Sequence, residues 1–229
     1  MDVKTVVKAL QRYTTCDVAD ALSKLKVPHG GFLADLTMWS PKRQEGSTKI
    51  VGPAYTVRYV RKNYENEPQP KGHYIDSVPS GAVLFISAPA KAINACYGGL
   101  MSTKAQYNGA VGTIVDGRVR DLEEHRGLNF PVVFARSVGT TAPAETMRVA
   151  QINEPVRLNS EEQDAIVHPG DILIGDLNGV VCIPQAMAEK VLDLIPSQVE
   201  ADEKVAADVK QGRPCAEAMK EHRAGVKQP

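Results

Sequence analysis

Apolar positions in residues 5–26 recur with a helical period in two pieces. Thr14 stands where an N-cap is expected for the second piece, with Asp17 three positions on and Val18, Ala21 and Leu22 on one face. Gly30-Gly31 breaks the pattern. Ile50-Val51 and Ala54-Tyr55-Thr56-Val57 read as strands, and the polar segment Arg61–Lys71, with its two prolines, reads as an exposed loop. Ala82-Val83-Leu84-Phe85-Ile86 is a continuous apolar run, the mark of a strand buried on both faces. A helix is predicted over Leu100–Tyr107, with Asn108-Gly109 as its left-handed cap. Strand Val111–Val115 follows, then a turn at Asp116-Gly117 and a further apolar run at Val132–Ala135. Strands alternating with short helices predict an α/β region with some parallel pairing.

The texture changes after Gly139. Val156-Arg157-Leu158, Ala165-Ile166-Val167, Asp171–Ile174 and Gly179–Ile183 are short strands separated by turn residues, with no helices between them. Pro184 closes this β-rich layer and a helix is predicted from about Ala186. Pro196 is expected to kink or split that helix. Residues 197–229 read as a helical tail, loosely held after Gly212. The pattern as a whole predicts an α/β fold: one β/β/α layered domain over residues 1–229, with a mixed sheet and a β-rich second layer.

Composition narrows the function classes. The chain has 229 residues, 43% of them hydrophobic, and its 27 basic and 27 acidic side chains cancel. A balanced chain lacks the basic footprint of a nucleic-acid binder, so no nucleic-acid partner is expected. No run approaches 18 apolar residues, so no membrane span is expected either. Cys16, Cys96, Cys182 and Cys215 are scattered without a C-x-x-C spacing and read as free thiols, which points to a reducing, cytoplasmic setting.

Two pieces of the chain carry candidate chemistry. Gly98-Gly99 precedes the predicted helix Leu100–Tyr107, whose unpaired N–H groups and dipole favour a carboxylate or phosphate. A tight turn would explain the same glycines. Arg120-Asp121-Leu122-Glu123-Glu124 opens a second short helix, which puts Asp121 and Glu124 on one face. One carboxylate in contact and one acting through water suit Mg²⁺, while Arg120 can fork onto a carboxylate or an enolate. An exposed ion pair at a helix start would also explain this piece. Strand Val111–Val115 returns the chain between them, so both can meet at one sheet edge, where α/β ligands sit. Together they offer what an α-keto acid enzyme needs: an anion cradle and a carboxylate–guanidinium pair able to hold a divalent metal.

The spacing Gly99, twenty residues, Arg120-Asp121, two residues, Glu124 resembles the signature of the RraA-like proteins and 4-hydroxy-4-methyl-2-oxoglutarate aldolases. The likeness extends to Thr15-Cys16-Asp17-Val18-Ala19-Asp20-Ala21-Leu22, to Ile50-Val51-Gly52-Pro53-Ala54-Tyr55-Thr56-Val57, to Pro169-Gly170-Asp171 and to Asp176-Leu177-Asn178-Gly179-Val180-Val181 with Ile183-Pro184. It covers roughly residues 10–195. Tyr97–Thr103 and Glu124-His125-Arg126 look closest to fungal members. The resemblance implies a swivelling β/β/α fold, assembled as a homotrimer or a dimer of trimers with active sites at subunit interfaces. It implies a class II pyruvate aldolase that also decarboxylates oxaloacetate, with Mg²⁺, or alternatively Mn²⁺, as cofactor. By position, Gly98, Gly99, Leu100 and Met101 match the substrate-holding backbone and Arg120 the substrate-contacting arginine. Asp121 matches the direct metal ligand, and Glu124 the acid acting on metal-bound water. The family also contains RraA-type binding proteins that regulate RNA-degrading enzymes; the intact Arg120-Asp121-Glu124 set favours the enzyme. A methyltransferase, another name attached to the family, would need a glycine-rich strand–helix loop that is absent here.

Other residues weigh less. His125, four after Asp121, reads as a surface histidine on a charged helix. His29, His73, His168 and His222 lack partners at zinc-ligand spacing. Lys104 has no apolar setting for Schiff-base chemistry, and Ser87 and Ser102 fit no G-x-S-x-G elbow. The acidic stretch Glu200–Glu203 reads as a solvated helix face, with the alternative that an acid there serves a neighbouring subunit.

Overall fold

Two helices open the chain in the computed structural model, which describes residues 1–128 and 132–229. Helix α1 spans Val3–Leu10 and α2 spans Thr15–Lys24. Thr14 forms the expected capping box: its hydroxyl accepts from Asp17 N–H at 3.2 Å, and the Asp17 carboxylate accepts from Thr14 N–H at 2.7 Å. Strands β1 (Phe32–Leu33), β2 (Thr37–Ser40), β3 (Ile50–Arg61), β4 (Val83–Ser87) and β5 (Ala95–Tyr97) follow. Then come α3 (Gly99–Tyr107), β6 (Gly112–Val119), α4 (Leu122–Gly127), β7 (Val133–Val138) and β8 (Met147–Ile152). The last part holds β9 (Val156–Arg157), β10 (Ile166–Val167), β11 (Ile172–Asp176), β12 (Gly179–Ile183), α5 (Ala188–Lys210) and α6 (Cys215–His222).

One long strand organises the sheet. The first residues of β3, Ile50–Pro53, pair antiparallel with β11; from Ala54 it runs parallel to β4, and its last residues pair antiparallel with β8. The strand order is β1-β12-β11-β3-β4-β6-β7-β2, parallel through β3, β4, β6 and β7 and antiparallel elsewhere. Because β3 passes from one half to the other, the halves fold over each other like two layers. Phe85, Ile114 and Phe134 of the parallel half pack with Leu173, Val180 and Cys182 of the antiparallel half in a shared core. A second core lies between β11–β12 and helices α1, α2 and α5, through Leu10, Leu22, Ile174, Val181 and Ile195. The third covers the outer face of the parallel half, where Leu84, Ile86 and Val115 meet Ala105 of α3 and Leu122 of α4. This is a mixed α/β domain with layered sheet halves, as the sequence pattern implies.

Four local features differ from the sequence expectations. Asp116-Gly117 is no turn: β6 continues to Val119, with a register shift against β7 between Val115 and Arg118. The Asp116 carboxylate is fully buried there and is matched by Arg136 Nε at 2.5 Å and Asn159 N–H at 2.6 Å. Pro196 does not split α5, which runs unbroken with Leu194, Ile195, Ala201 and Val205 buried along it. Burial on both sides of the proline outweighs its missing hydrogen bond. The tail is not loose, because α6 is clasped to α5 by Arg213 and His222 on Asp208 (2.6 and 2.8 Å) and by Arg223 on Asp202 (2.6 Å). Finally, β5 and β8 have no counterpart in the expectations.

The buried end of β11 gives a pH prediction. Burial by itself raises the Asp176 pKa, but bonds from Thr15 N–H (2.8 Å), Thr15 Oγ1 (2.7 Å) and Asn178 N–H (2.9 Å) outweigh it and hold the carboxyl below its usual range. A depressed native pKa means stability that is complete above the ordinary aspartate range and is lost as pH falls through the lowered value. Urea midpoints measured against pH are expected to fall less steeply on the acid side for Asp176→Asn than for the wild type. Parallel curves would remove Asp176 from acid unfolding.

Candidate active site

Strand pairing brings the two candidate pieces together. At the end of the parallel half, β5 runs beside β6, with Ala95 opposite Arg118 and Tyr97 opposite Val119. Gly98 and Arg120 therefore leave the sheet side by side, and Arg120 N–H donates to the Tyr97 carbonyl at 3.0 Å. From there Gly98 caps α3 and Asp121 caps α4.

Asp121 has a left-handed backbone, φ 62° and ψ 44°, and does not cap its own helix with its side chain. Its Oδ2 instead accepts from Gly99 N–H, at the start of α3, at 3.0 Å, and lies 3.4 Å from Arg120 Nε. The anion at this helix N-terminus is thus the protein's own carboxylate, a favourable place for it. Leu100 N–H, one residue on, has no acceptor among the described residues.

The glycine pair is required by this approach. A Cβ on Gly98 would lie 2.5 Å from Asp121 Oδ2, and one on Gly99 would meet the Glu124 carboxylate and come 2.7 Å from Glu124 Cβ. The glycines let the two helix starts close on each other.

The result is a cleft of about 350 Å³. Gly98, Leu100, Met101, Arg120, Asp121 and Glu124 line it, while Gly99 is buried behind, bonded to Asp121. Tyr59, His73 and Pro143 complete the wall from distant parts of the chain, a convergence that no local motif announces. Arg120 also reaches the Thr140 carbonyl, Nη1 to oxygen 3.4 Å.

The donor set can be tested against a divalent cation. No group of three His, Cys, Asp or Glu able to hold a metal occurs among the described residues, which disfavours an all-protein cage such as a zinc site. Within the cleft, however, Asp121 Oδ1 and the Glu124 carboxylate accept no hydrogen bond among the described residues. One or two carboxylates, with water and substrate oxygens completing the shell, is the pattern Mg²⁺ takes. The residues fit such an ion.

The remaining candidates lie elsewhere. Lys104 is a half-buried cation 3.9 Å from Asp76 and over the Tyr107 ring. Glu200 pairs with Lys204 at 2.6 Å on the open face of α5. All four cysteines are free, with Cys96 and Cys182 buried. His125 corrects the surface reading, since it is 1% exposed. It shares a stripe with Leu122 and Leu128, both of which pack into the core, and this three-residue spacing was the signal for it.

The RraA-like family model, described as Aldolase/RraA, matches residues 15–182. Protein DlpA of Legionella pneumophila is 29% identical over 95% of this chain, although the chain spans only 34% of DlpA's length. A Halalkalibacterium halodurans protein with a provisional 4-hydroxy-4-methyl-2-oxoglutarate aldolase name is 31% identical over 83% of this chain and 81% of its own. Both are bacterial and lend no support to a special closeness to fungal members. Among solved structures, an uncharacterized Pseudomonas syringae protein superposes with a TM-score of 0.77 at 25% identity, covering 94% of this chain and 96% of that one. Streptomyces coelicolor RraAS2, described as an unusual member of the RNase ES inhibitor RraA protein family, gives 0.72 at 21%, covering 91% and 96%. In fold, in sequence and in the matched segment, this chain belongs to the RraA-like (Aldolase/RraA) family.

Proposed function

We propose that this protein is a divalent-metal-dependent pyruvate aldolase, cleaving 4-hydroxy-4-methyl-2-oxoglutarate or a related 4-hydroxy-2-oxo acid, and that it decarboxylates oxaloacetate at the same site. The observation that carries the reading is the convergence of Arg120, Asp121 and Glu124 on one cleft at the start of α3. With one guanidinium and two carboxylates the cleft has a formal charge of −1, so an anionic keto acid needs a further cation there. A bound Mg²⁺ or Mn²⁺, held by Asp121 directly and by Glu124 through water, would supply Lewis-acid polarisation of the substrate's carboxylate and keto oxygens.

The chain's own groups do the rest. The backbone from Gly98 to Met101, with a Leu100 N–H that has no acceptor among the described residues, takes the substrate carboxylate. Aldol cleavage moves the C3–C4 bonding pair onto the pyruvyl half as the 4-hydroxyl gives its proton to water in the cleft and becomes a carbonyl. Loss of CO₂ from oxaloacetate leaves the same pair on the same carbon, so both reactions pass through the pyruvate enolate. Arg120, a permanent cation in the wall, stabilises the negative charge that builds on the enolate oxygen. Assembly as a homotrimer or a dimer of trimers, with the cleft completed by a neighbour, belongs to this reading. Leu100 and Tyr107, 75% and 83% exposed and seven residues apart on α3, support it by offering apolar surface beside the cleft. No helix among the described residues is long and apolar enough to cross a membrane.

The deciding experiment measures pyruvate released from oxaloacetate and from 4-hydroxy-4-methyl-2-oxoglutarate, with Mg²⁺ and after chelation. Release that needs the metal is expected from both. Full activity after chelation would defeat the metal assignment. No release from either substrate would move the reading to an RraA-type protein that binds an RNA-degrading enzyme.

A further inference from the structure

Behind the cleft, four buried side chains form an unbroken polar chain. Thr113 Oγ1 in β6 and Ser102 Oγ in α3 each lie 3.0 Å from the Tyr97 hydroxyl, and Ser102 Oγ lies 2.8 Å from His125 Nδ1 on α4. The Tyr97 ring also stacks on the imidazole, centroids 5.6 Å apart and planes within 8°. All four residues are at most 2% exposed, and Ser102, Thr113 and His125 do not line the cleft.

Such a histidine is a costly residue for this place. Its Nε2 is buried and has no hydrogen-bond partner among the described residues. A leucine would extend the Leu122–Leu128 stripe with no orphaned nitrogen. What the imidazole adds over leucine is the Nδ1 bond to Ser102, and that bond joins the two helices whose first residues make the site. Ser102 lies three residues after Gly99. His125 lies four after Asp121, and its N–H donates to the Asp121 carbonyl at 3.1 Å.

We propose that Ser102 and His125 are positioning residues of the pyruvyl site: their buried bond sets the separation between the start of α3, where the substrate carboxylate is held, and the Arg120-Asp121 turn. This rests on the aldolase reading for its kinetic consequences, but the geometric claim stands apart from turnover. Tyr97 anchors the same pair from the sheet, since its carbonyl holds Arg120 N–H while its hydroxyl holds Ser102.

The test uses His125→Leu, Ser102→Ala, their double variant and His125→Asn, whose side-chain amide replaces Nδ1 closely enough to restore the bond. Displacing reacting groups by an ångström can cost about 10²-fold, so the two single variants are expected to lose about tenfold or more in kcat for pyruvate release, with KM changed less. The double variant should be no worse than Ser102→Ala alone, because the Ser102–His125 bond that His125→Leu removes is already lost there. His125→Asn should recover to within about threefold of wild type. A second readout, on the unloaded protein, is exchange of the Gly99 amide, which is bonded to Asp121: faster in His125→Leu and near wild type in His125→Asn. Wild-type kcat in His125→Leu, multiplying losses in the double variant, or unchanged Gly99 exchange would each overturn the proposal. If the wild-type protein released no pyruvate, the aldolase reading would fail while the exchange experiment still decided this one.

Discussion

Arg120→Ala is expected to lower kcat for pyruvate release by about 10²–10³, the typical cost of removing one donor to a developing oxyanion. The side chain leaves the sheet beside Gly98, lies against Asp121 Oδ2 and lines the cleft wall. Its side chain is 38% exposed, and exposed ion pairs contribute only about 0–1 kcal/mol to stability, so the fold should survive its removal. The loss should therefore show in kcat at an almost unchanged melting temperature. Arg120→Lys keeps the charge but not the planar fork, and is expected to fall between the two. Steady-state pyruvate release, with kcat and KM resolved separately, checks this. An unchanged kcat in Arg120→Ala would remove the guanidinium from the mechanism, and a rise confined to KM would reduce it to a binding group.

Asp121→Asn is expected to abolish the response of activity to added Mg²⁺ and to cost about 10³-fold in turnover, the several kcal/mol that Lewis-acid stabilisation typically supplies. The substitution isolates charge from shape. Position 121 has φ 62°, a conformation that asparagine tolerates well, and an amide oxygen can still accept from Gly99 N–H. Asp121→Ala does not make that separation. It places an alanine in the left-handed region at a cost of about 1–2 kcal/mol and removes the acceptor at the start of α3. Titrating Mg²⁺ into both variants, followed by turnover and by thermal unfolding, distinguishes the cases. Metal-dependent turnover of wild-type size in Asp121→Asn would place the ion elsewhere.

Much of the architecture was legible because local signals repeat the global answer. The capping box at Thr14 and Asp17, the apolar run Val83–Ile86 of β4 and the left-handed Gly109 after α3 each depend on near neighbours alone. Where the readings failed, a distant partner had changed the balance. Asp116 looks like a turn residue until Arg136 and Asn159, both far along the chain, satisfy its carboxylate inside β6. Residues 213–223 look like a loose tail until Asp202 and Asp208 of α5 pair with their cations. His125 looks solvated among charged neighbours, but Leu122 and Leu128 turn its face of α4 into the core.

The candidate site divides along the same line. By itself the sequence determined which groups are present and how far apart they are along the chain: a glycine pair before a helix, and an arginine, an aspartate and a glutamate at a helix start twenty residues later. Short-range rules reach that far, because caps and helix faces are properties of a few consecutive residues. Only the tertiary structure decided that β5 lies beside β6, so that the two helix starts touch, that Asp121 reaches across to Gly99, and that Tyr59, His73 and Pro143 close the cleft. Those contacts depend on strand pairing and packing between segments far apart in the chain, and such pairing follows from the total burial of the fold, not from the residues on either side.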